Sequence, residues 1–123
     1  MPNFLFEEIT HKIIGSSFEV YKELGYGFLE KVYENALLIE LKLKGLKVEN
    51  QKPIRIFYRD ENIGDYFADI LVEDKVIVEL KAEKVYNPKH EAQLINYLKA
   101  TRLKVGLLIN FGANECKPKR IVN

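Results

Sequence analysis

The chain predicts an α/β protein built on a mixed sheet with helices on both faces. Three observations carry this. Apolar side chains recur twice at helical spacing before Gly45. Beyond it they alternate with polar ones at a period of two, broken by short turns. A helical stretch then separates the last two firm strands, and a crossover of that kind makes the strands it joins parallel neighbours.

The first helix runs from about Phe4 to Leu24, with Phe6, Ile9, Ile13, Ile14, Val20 and Leu24 on its apolar side. Leu24-Gly25-Tyr26-Gly27 stops it, because glycine takes the left-handed conformation without strain. The second helix spans about Leu29 to Lys44, with Leu29, Val32, Tyr33, Ala36, Leu37 and Leu41 as its stripe and Gly45 closing it. Leu46 to Glu49, and Ile54 to Tyr58, read as strand, and Arg59-Asp60-Glu61-Asn62 as a turn. Ile63 to Val72 and Val76 to Ala82 are the next strands, joined by the tight loop Glu73-Asp74-Lys75 and therefore antiparallel. Tyr86-Asn87-Pro88 breaks the chain and opens a helix, with Asn87 as N-cap and Pro88 at the first helical position. That helix ends near Thr101, Leu103 to Phe111 is the crossover's second strand, and ANECKPKRIVN is a tail with room for one short added strand.

At 123 residues the chain suits one domain, residues 1–123, with one core. Its 47% hydrophobic and 30% charged content is that of a folded domain. With 19 basic against 18 acidic residues, polyanion binding would have to come from local clustering. The lone cysteine, Cys116, excludes an internal disulfide and a cysteine-rich zinc site. No apolar run approaches the roughly 20 residues that span a bilayer, and MPNFLFEEITHKI lacks a signal peptide's basic start and apolar core. The expectation is a cytoplasmic protein without a membrane partner.

The hairpin ADILVEDKVIVELKA places Asp69, Glu79 and Lys81 among β-branched and aliphatic residues. Glu79 and Lys81, two apart, leave one face of their strand. If Glu73-Asp74-Lys75 is a three-residue loop, Val72 meets Val76 and Asp69 falls opposite Glu79, Cβ atoms about 4.5–5.5 Å apart. A one-residue slip would send Asp69 to the other face. Two carboxylates so placed repel, and burial raises the cost of ionising both. A divalent cation removes the conflict: Mg²⁺ is commonly held by one or two carboxylates with water and phosphate oxygens. Lys81 beside it could orient or deprotonate a water and offset phosphate charge, the parts needed for metal-assisted phosphodiester hydrolysis. The same three residues also suit a solvated salt-bridge patch.

Glu30 interrupts the stripe of Tyr33, Leu37 and Leu41. An acid in a first helical turn also favours the helix dipole. Glu34 and Glu40 read as surface charges. Gln93 and Tyr97 face together, with His90 three residues earlier, an arrangement that a hydrogen-bonded core edge explains equally well.

Together these pieces resemble a known pattern: Gly27-Phe28-Leu29-Glu30 the GxxE motif, Asp69 the isolated strand aspartate, Glu79-Leu80-Lys81 the ExK motif and Gln93-Leu94-Ile95-Asn96-Tyr97 the QxxxY motif. The ordered set resembles the PD-(D/E)XK nuclease superfamily in its RecB and lambda-exonuclease-like branch. GFLEKVY, residues 27–33, matches the signature of the GxxExxY family, which the chain resembles over nearly its whole length. Ala68 stands where the superfamily's name has proline.

The resemblance implies a restriction-endonuclease-like αβββαβ core and a nuclease dependent on Mg²⁺ or Mn²⁺ and acting on DNA. It implies that Asp69, Glu79 and the Leu80 carbonyl hold one ion, and that Glu30 holds a second ion or a water beside it. Lys81 would position the attacking water and stabilise the pentavalent phosphorus. Gln93 would orient Lys81 or a phosphate with Tyr97 behind it, and His90 would lie near the scissile region. Lys117, Lys119 and Arg120 form a basic cluster after the last firm strand, and Lys84, Lys89 and Arg55 are candidates to line the approach. A two-strand cut needs two sites, which points to a homodimer. With no base-reading module visible, the choice of site would come from DNA structure or ends, or from a protein partner for targeting. The competing class is a non-cleaving nucleic-acid binder or accessory subunit of a DNA-processing complex, against which the carboxylate pair weighs. A small-molecule enzyme lacks its glycine-rich phosphate loop, since Gly25 and Gly27 follow a helix.

Overall fold

The computed structural model describes residues 6–123. Helices α1 (Glu7–Leu24) and α2 (Glu30–Leu43) precede strands β1 (Val48–Tyr58), β2 (Glu61–Val72) and β3 (Val76–Lys81). Helix α3 (Lys89–Thr101) then crosses to β4 (Val105–Phe111), and β5 (Cys116–Val122) closes the chain. The expected helix start at Phe4 lies outside the described residues. The five strands lie in the order β1-β2-β3-β4-β5. Only the β3–β4 pair, joined through α3, is parallel.

Two apolar clusters sandwich this sheet. On one face Ile13 and Val20 of α1 and Tyr33, Leu37 and Leu41 of α2 pack on Val78, Leu80, Leu107 and Ile109. On the other, Leu94, Tyr97 and Leu98 of α3 cover Ile77, Leu108 and Ile121. Strands covered on both faces read as continuous apolar runs, and all seven residues of β4 are buried.

Three strand boundaries depart from the sequence reading. Leu46–Glu49 and Ile54–Tyr58 are parts of one strand, because β1 is a sheet edge where the polar Asn50–Lys52 stretch and Pro53 cost little. The first hairpin turns in two residues, Arg59 and Asp60, both at positive φ (49° and 67°) as twisted hairpins favour. Strand β2 therefore starts at Glu61, and a bulge at Ile63 restores the register between Ile56↔Gly64 and Phe57↔Asn62. Polarity at an exposed hairpin tip says nothing about backbone pairing, which is why Glu61 and Asn62 looked like turn. The tail holds a full seven-residue edge strand, β5, carrying Pro118. The third helix begins near its expected start: Asn87 Oδ1 accepts the Lys89 N–H at 3.0 Å, with Pro88 already in helical conformation.

At one place β1 and β2 break their alternation. Val48 and Ile70 pack on the α1–α2 face, yet Ile54 and Ala68, of the same parity, pack on the α3 face. The exchange happens where Gln51 should pair with Asp69: that pair is missing from the ladder, and Gln51 sits at φ 52°.

Strand β4 approaches α3 most closely at Gly106, where a Cβ would lie 2.9 Å from Leu94 Cδ1 and 3.0 Å from its Cγ. Leu94 is fully buried and has no room to retreat. Gly106→Ala should cost about 1–3 kcal/mol of stability by overpacking, read as a lower midpoint in urea. An unchanged midpoint would mean that α3 is not seated on this strand.

Candidate active site

The β2–β3 hairpin sets the centre. Its loop is the expected three residues, with the Lys75 N–H donated to the Val72 carbonyl at 3.0 Å and Glu73 and Asp74 at positive φ. The ladder reads Val72↔Val76, Leu71↔Ile77 and Ile70↔Val78, and the next step brings Asp69 level with Glu79. There the backbone ladder ends and side chains take over. The Asp69 N–H donates to Glu79 Oε1 at 3.0 Å, and the Leu80 N–H donates to Asp69 Oδ2 at 2.8 Å. Each carboxylate thus fills the backbone position the other's strand has vacated.

Burial makes this crossing costly. Glu79 is only 8% exposed. Desolvation, reinforced by the Asp69 charge, pushes its carboxyl up to about 8. Asp69 is likewise raised, first by burial and then by Glu34, against the lowering effect of the Leu80 N–H. Lys81 lowers both, yet among the described residues it makes no ion pair within 4 Å. The three are therefore not a solvated salt-bridge patch: Glu79 is buried, Asp69 is half-buried and the ammonium makes no ion pair.

Glu30 stands at the mouth of this centre as the first residue of α2. Its carboxyl is raised by partial desolvation and lowered by Lys81, and it also feels Asp69, Glu83 and His90. The GxxExxY stretch explains its placement. Tyr33 is fully buried, its ring stacked on Phe111 at 4.4 Å and 10°. The Tyr33 hydroxyl donates to the Gly25 carbonyl at 2.6 Å and accepts the Phe28 N–H at 3.3 Å. With Gly27 at φ 120°, where a side chain would be strained, this fixes the turn that delivers Glu30.

On α3, Gln93 Nε2 donates to the Tyr97 hydroxyl at 2.6 Å. Tyr97 packs with Ile77 on the α3 face, and Glu79, two residues on, leaves its strand on that same face. His90 Nε2 meets Glu83 Oε2 at 2.8 Å, a pairing that orients the imidazole at the rim. The basic cluster does not hold together. It lies on β5, where Lys117 and Lys119 alternate with Arg120, so the first two share the α3 face with Ile121 and Arg120 leaves on the other. Lys117 sits 4.8 Å over the Tyr86 ring.

Three residues escaped the sequence reading. Glu34, read as a surface charge, is 4% exposed. Lys31 Nζ donates to its Oε2 at 2.8 Å, and Gln51 Nε2 to its Oε1 at 3.0 Å. Gln51 Nε2 also approaches Asp69 Oδ1 at 3.5 Å, tying Glu34 to the centre. The only signal was position: Glu34 is one turn beyond Glu30. Asn110, level with Lys81 across β4, donates Nδ2 to the Glu83 carbonyl and accepts the Glu83 N–H on Oδ1, both at 3.0 Å, clamping the chain just past Lys81.

A divalent cation fits the donor set: two hard carboxylates whose mutual repulsion it would relieve, beside a backbone carbonyl at Leu80. Among the described residues no three His, Cys, Asp or Glu side chains form a ready-made cage. The remaining ligands must then be water or substrate oxygens, the arrangement Mg²⁺ favours.

A mixed sheet with helices on both faces, carrying two crossed acids and a lysine where neighbouring strands part, is consistent with the restriction-endonuclease-like class of nuclease fold. A family model described as the PD-(D/E)XK nuclease superfamily matches residues 7–121, and the chain belongs to that superfamily. Its members generally hydrolyse phosphodiester bonds. Among solved structures, the crystal structure of SSO0001 is similar with a TM-score of 0.57 and 17% identity, a likeness of fold. The match covers 76% of this chain and 49% of that one, so the chain spans about half that protein's length. Comparison with curated proteins gives no match.

The raised carboxyls have a measurable consequence. A proton is held more tightly by folded than by unfolded Glu79 between 4.5 and about 8, so metal-free stability must fall as pH rises through that interval. Thermal unfolding in EDTA should show this slope, and Glu79→Gln should flatten it. A wild-type profile that is level across the interval would mean the two acids do not oppose each other.

Proposed function

We propose that this chain is a Mg²⁺- or Mn²⁺-dependent deoxyribonuclease of the GxxExxY family, in the RecB and lambda-exonuclease-like branch. The observation that carries it is the crossed pair of carboxylates, Glu79 buried and Asp69 half-buried, beside a lysine without an ion pair. A binding surface gains nothing from acids facing a phosphate, and a structural ion pair would have closed with Lys81.

When bound, the cation would polarise the phosphate and make a nearby water more acidic. Asp69 and Glu79 hold it, with the Leu80 carbonyl available on the same strand. Lys81 positions the attacking water, whose proton passes to solvent, and offsets charge as the pentavalent centre forms. Glu30, at the entrance, holds a second ion or a water. Gln93 and Tyr97 act as one hydrogen-bonded unit that positions Lys81 or a substrate phosphate, and the His90–Glu83 pair lies at the edge of the scissile region. Lys117 and Lys119 share this face and supply phosphate contacts without sequence choice. The reading extends to one nuclease domain over residues 1–123, a cytoplasmic location, a homodimer for cutting both strands and a protein partner for targeting. No helix among the described residues is long and apolar enough to cross a membrane.

Linear, circular, branched and single-stranded DNA incubated with Mg²⁺ or Mn²⁺ should be cut by the wild type. Lys81→Ala should lose about 10²–10³-fold in rate, the usual loss for a removed transition-state donor. Calorimetry should show cation binding to the wild type and its loss in Asp69→Asn. Cleavage that survives Lys81→Ala would defeat the assignment, and DNA binding without cleavage would make the chain an accessory subunit.

A further inference from the structure

We propose that the cleft between the β1–β2 hairpin and α3 is a nucleobase subsite, so that the strand presented to the acidic centre is unpaired at that nucleotide. The inference deepens the nuclease reading and rests on it for the identity of the ligand.

The cleft measures about 630 Å³ and is lined by Ile56, Tyr66, Gln93, Asn96, Tyr97, Lys99 and Ala100. That volume lies within the few hundred to about 1,000 Å³ typical of small-molecule sites. Its walls match the parts of a nucleotide. Tyr66 is 47% exposed, and its ring centre lies 5.8 Å from that of Tyr97 at a 46° tilt, leaving aromatic surface open to the cleft. Bases stack on such surface with little regard to sequence, because each has a π face. Gln93 and Asn96 carry amides able both to donate and to accept at a base edge. Lys99 supplies a cation for the flanking phosphate.

The position of Tyr66 has a cause in the sequence. Gly64, two residues earlier and paired with Ile56, lies beneath it: a Cβ there would meet the Tyr66 ring at 3.1 Å and Ile56 at 3.5 Å. The bare backbone lets the ring lean over the hairpin. The cleft also adjoins the acidic centre, since Tyr97 lines it and packs in the same cluster as Ala68, next to Asp69, and Ile77, which shares its strand face with Glu79. A base seated against Tyr66 would thus belong to a nucleotide close to the phosphate under attack. Within a duplex a base is stacked on both faces and paired at its edge, so it reaches a side cleft only after leaving the helix.

The test is fluorescence anisotropy in EDTA, where binding is read without cleavage. The ligands are a short labelled single strand, its duplex, and the single strand carrying abasic nucleotides. Wild type should prefer the normal single strand. The abasic change and Tyr66→Ala should each weaken binding by roughly 5- to 100-fold, the worth of one base–aromatic stack, and the two losses should not add. Tyr66→Phe keeps the ring and should bind like wild type. Asn96→Ala, an exposed change that leaves the hairpin untouched, should weaken single-strand binding as well. Equal binding of normal and abasic strands, or indifference to both Tyr66→Ala and Asn96→Ala, would overturn the subsite. Tyr66-dependent binding by a protein that cuts nothing in Mg²⁺ or Mn²⁺ would uphold the subsite and sink the nuclease reading. Cleavage with Tyr66-independent binding would do the reverse.

Discussion

Everything in the site depends on one exchange of hydrogen bonds at the point where β2 and β3 part. A ladder that ends in a core leaves backbone N–H groups needing acceptors, and an unmet donor there costs on the order of 1–3 kcal/mol. Asp69 and Glu79 meet that need with carboxylates. The solution satisfies the backbone but places two like charges in a desolvated space. Lys81 relieves their repulsion only in part, since it stands near both without an ion pair to either. The chain thus carries an electrostatic conflict at the end of the ladder, one that a proton held on Glu79 relieves and that a bound cation would relieve as well.

Most of the fold could be read from the chain because apolar period and turn chemistry agree along it. The two helices, the β2–β3 hairpin with its three-residue loop and the parallel β3–β4 pair follow from local patterns. The errors fall where pattern carries little information. At the β1–β2 tip the side chains are solvated, so polarity and pairing are decoupled. In β5 the alternation of Lys117, Lys119 and Ile121 is partly masked by charge.

The site was legible to the extent that strand register is arithmetic. Counting back from Val72 and Val76 sufficed to bring Asp69 to Glu79. Glu34, Gln51 and Asn110 were not legible, because each acts across an interface that no local period encodes. Gln51 is the clearest case. It reaches Glu34 and Asp69 only because its backbone takes a left-handed conformation rare for a residue with a side chain, at the point where two strands exchange faces. Tyr33 corrects the emphasis of the GxxExxY signature. Its tyrosine is a structural clamp on the turn from which α2, and Glu30 at its start, projects.

The two outer strands of the sheet each carry a proline, Pro53 in β1 and Pro118 in β5. A residue without an N–H interrupts the row of donors that an incoming strand would need. Continuous sheets between copies of this chain are thereby discouraged at both margins. A second copy of this chain would therefore have to dock through side chains and helices, leaving the five described strands as one sheet.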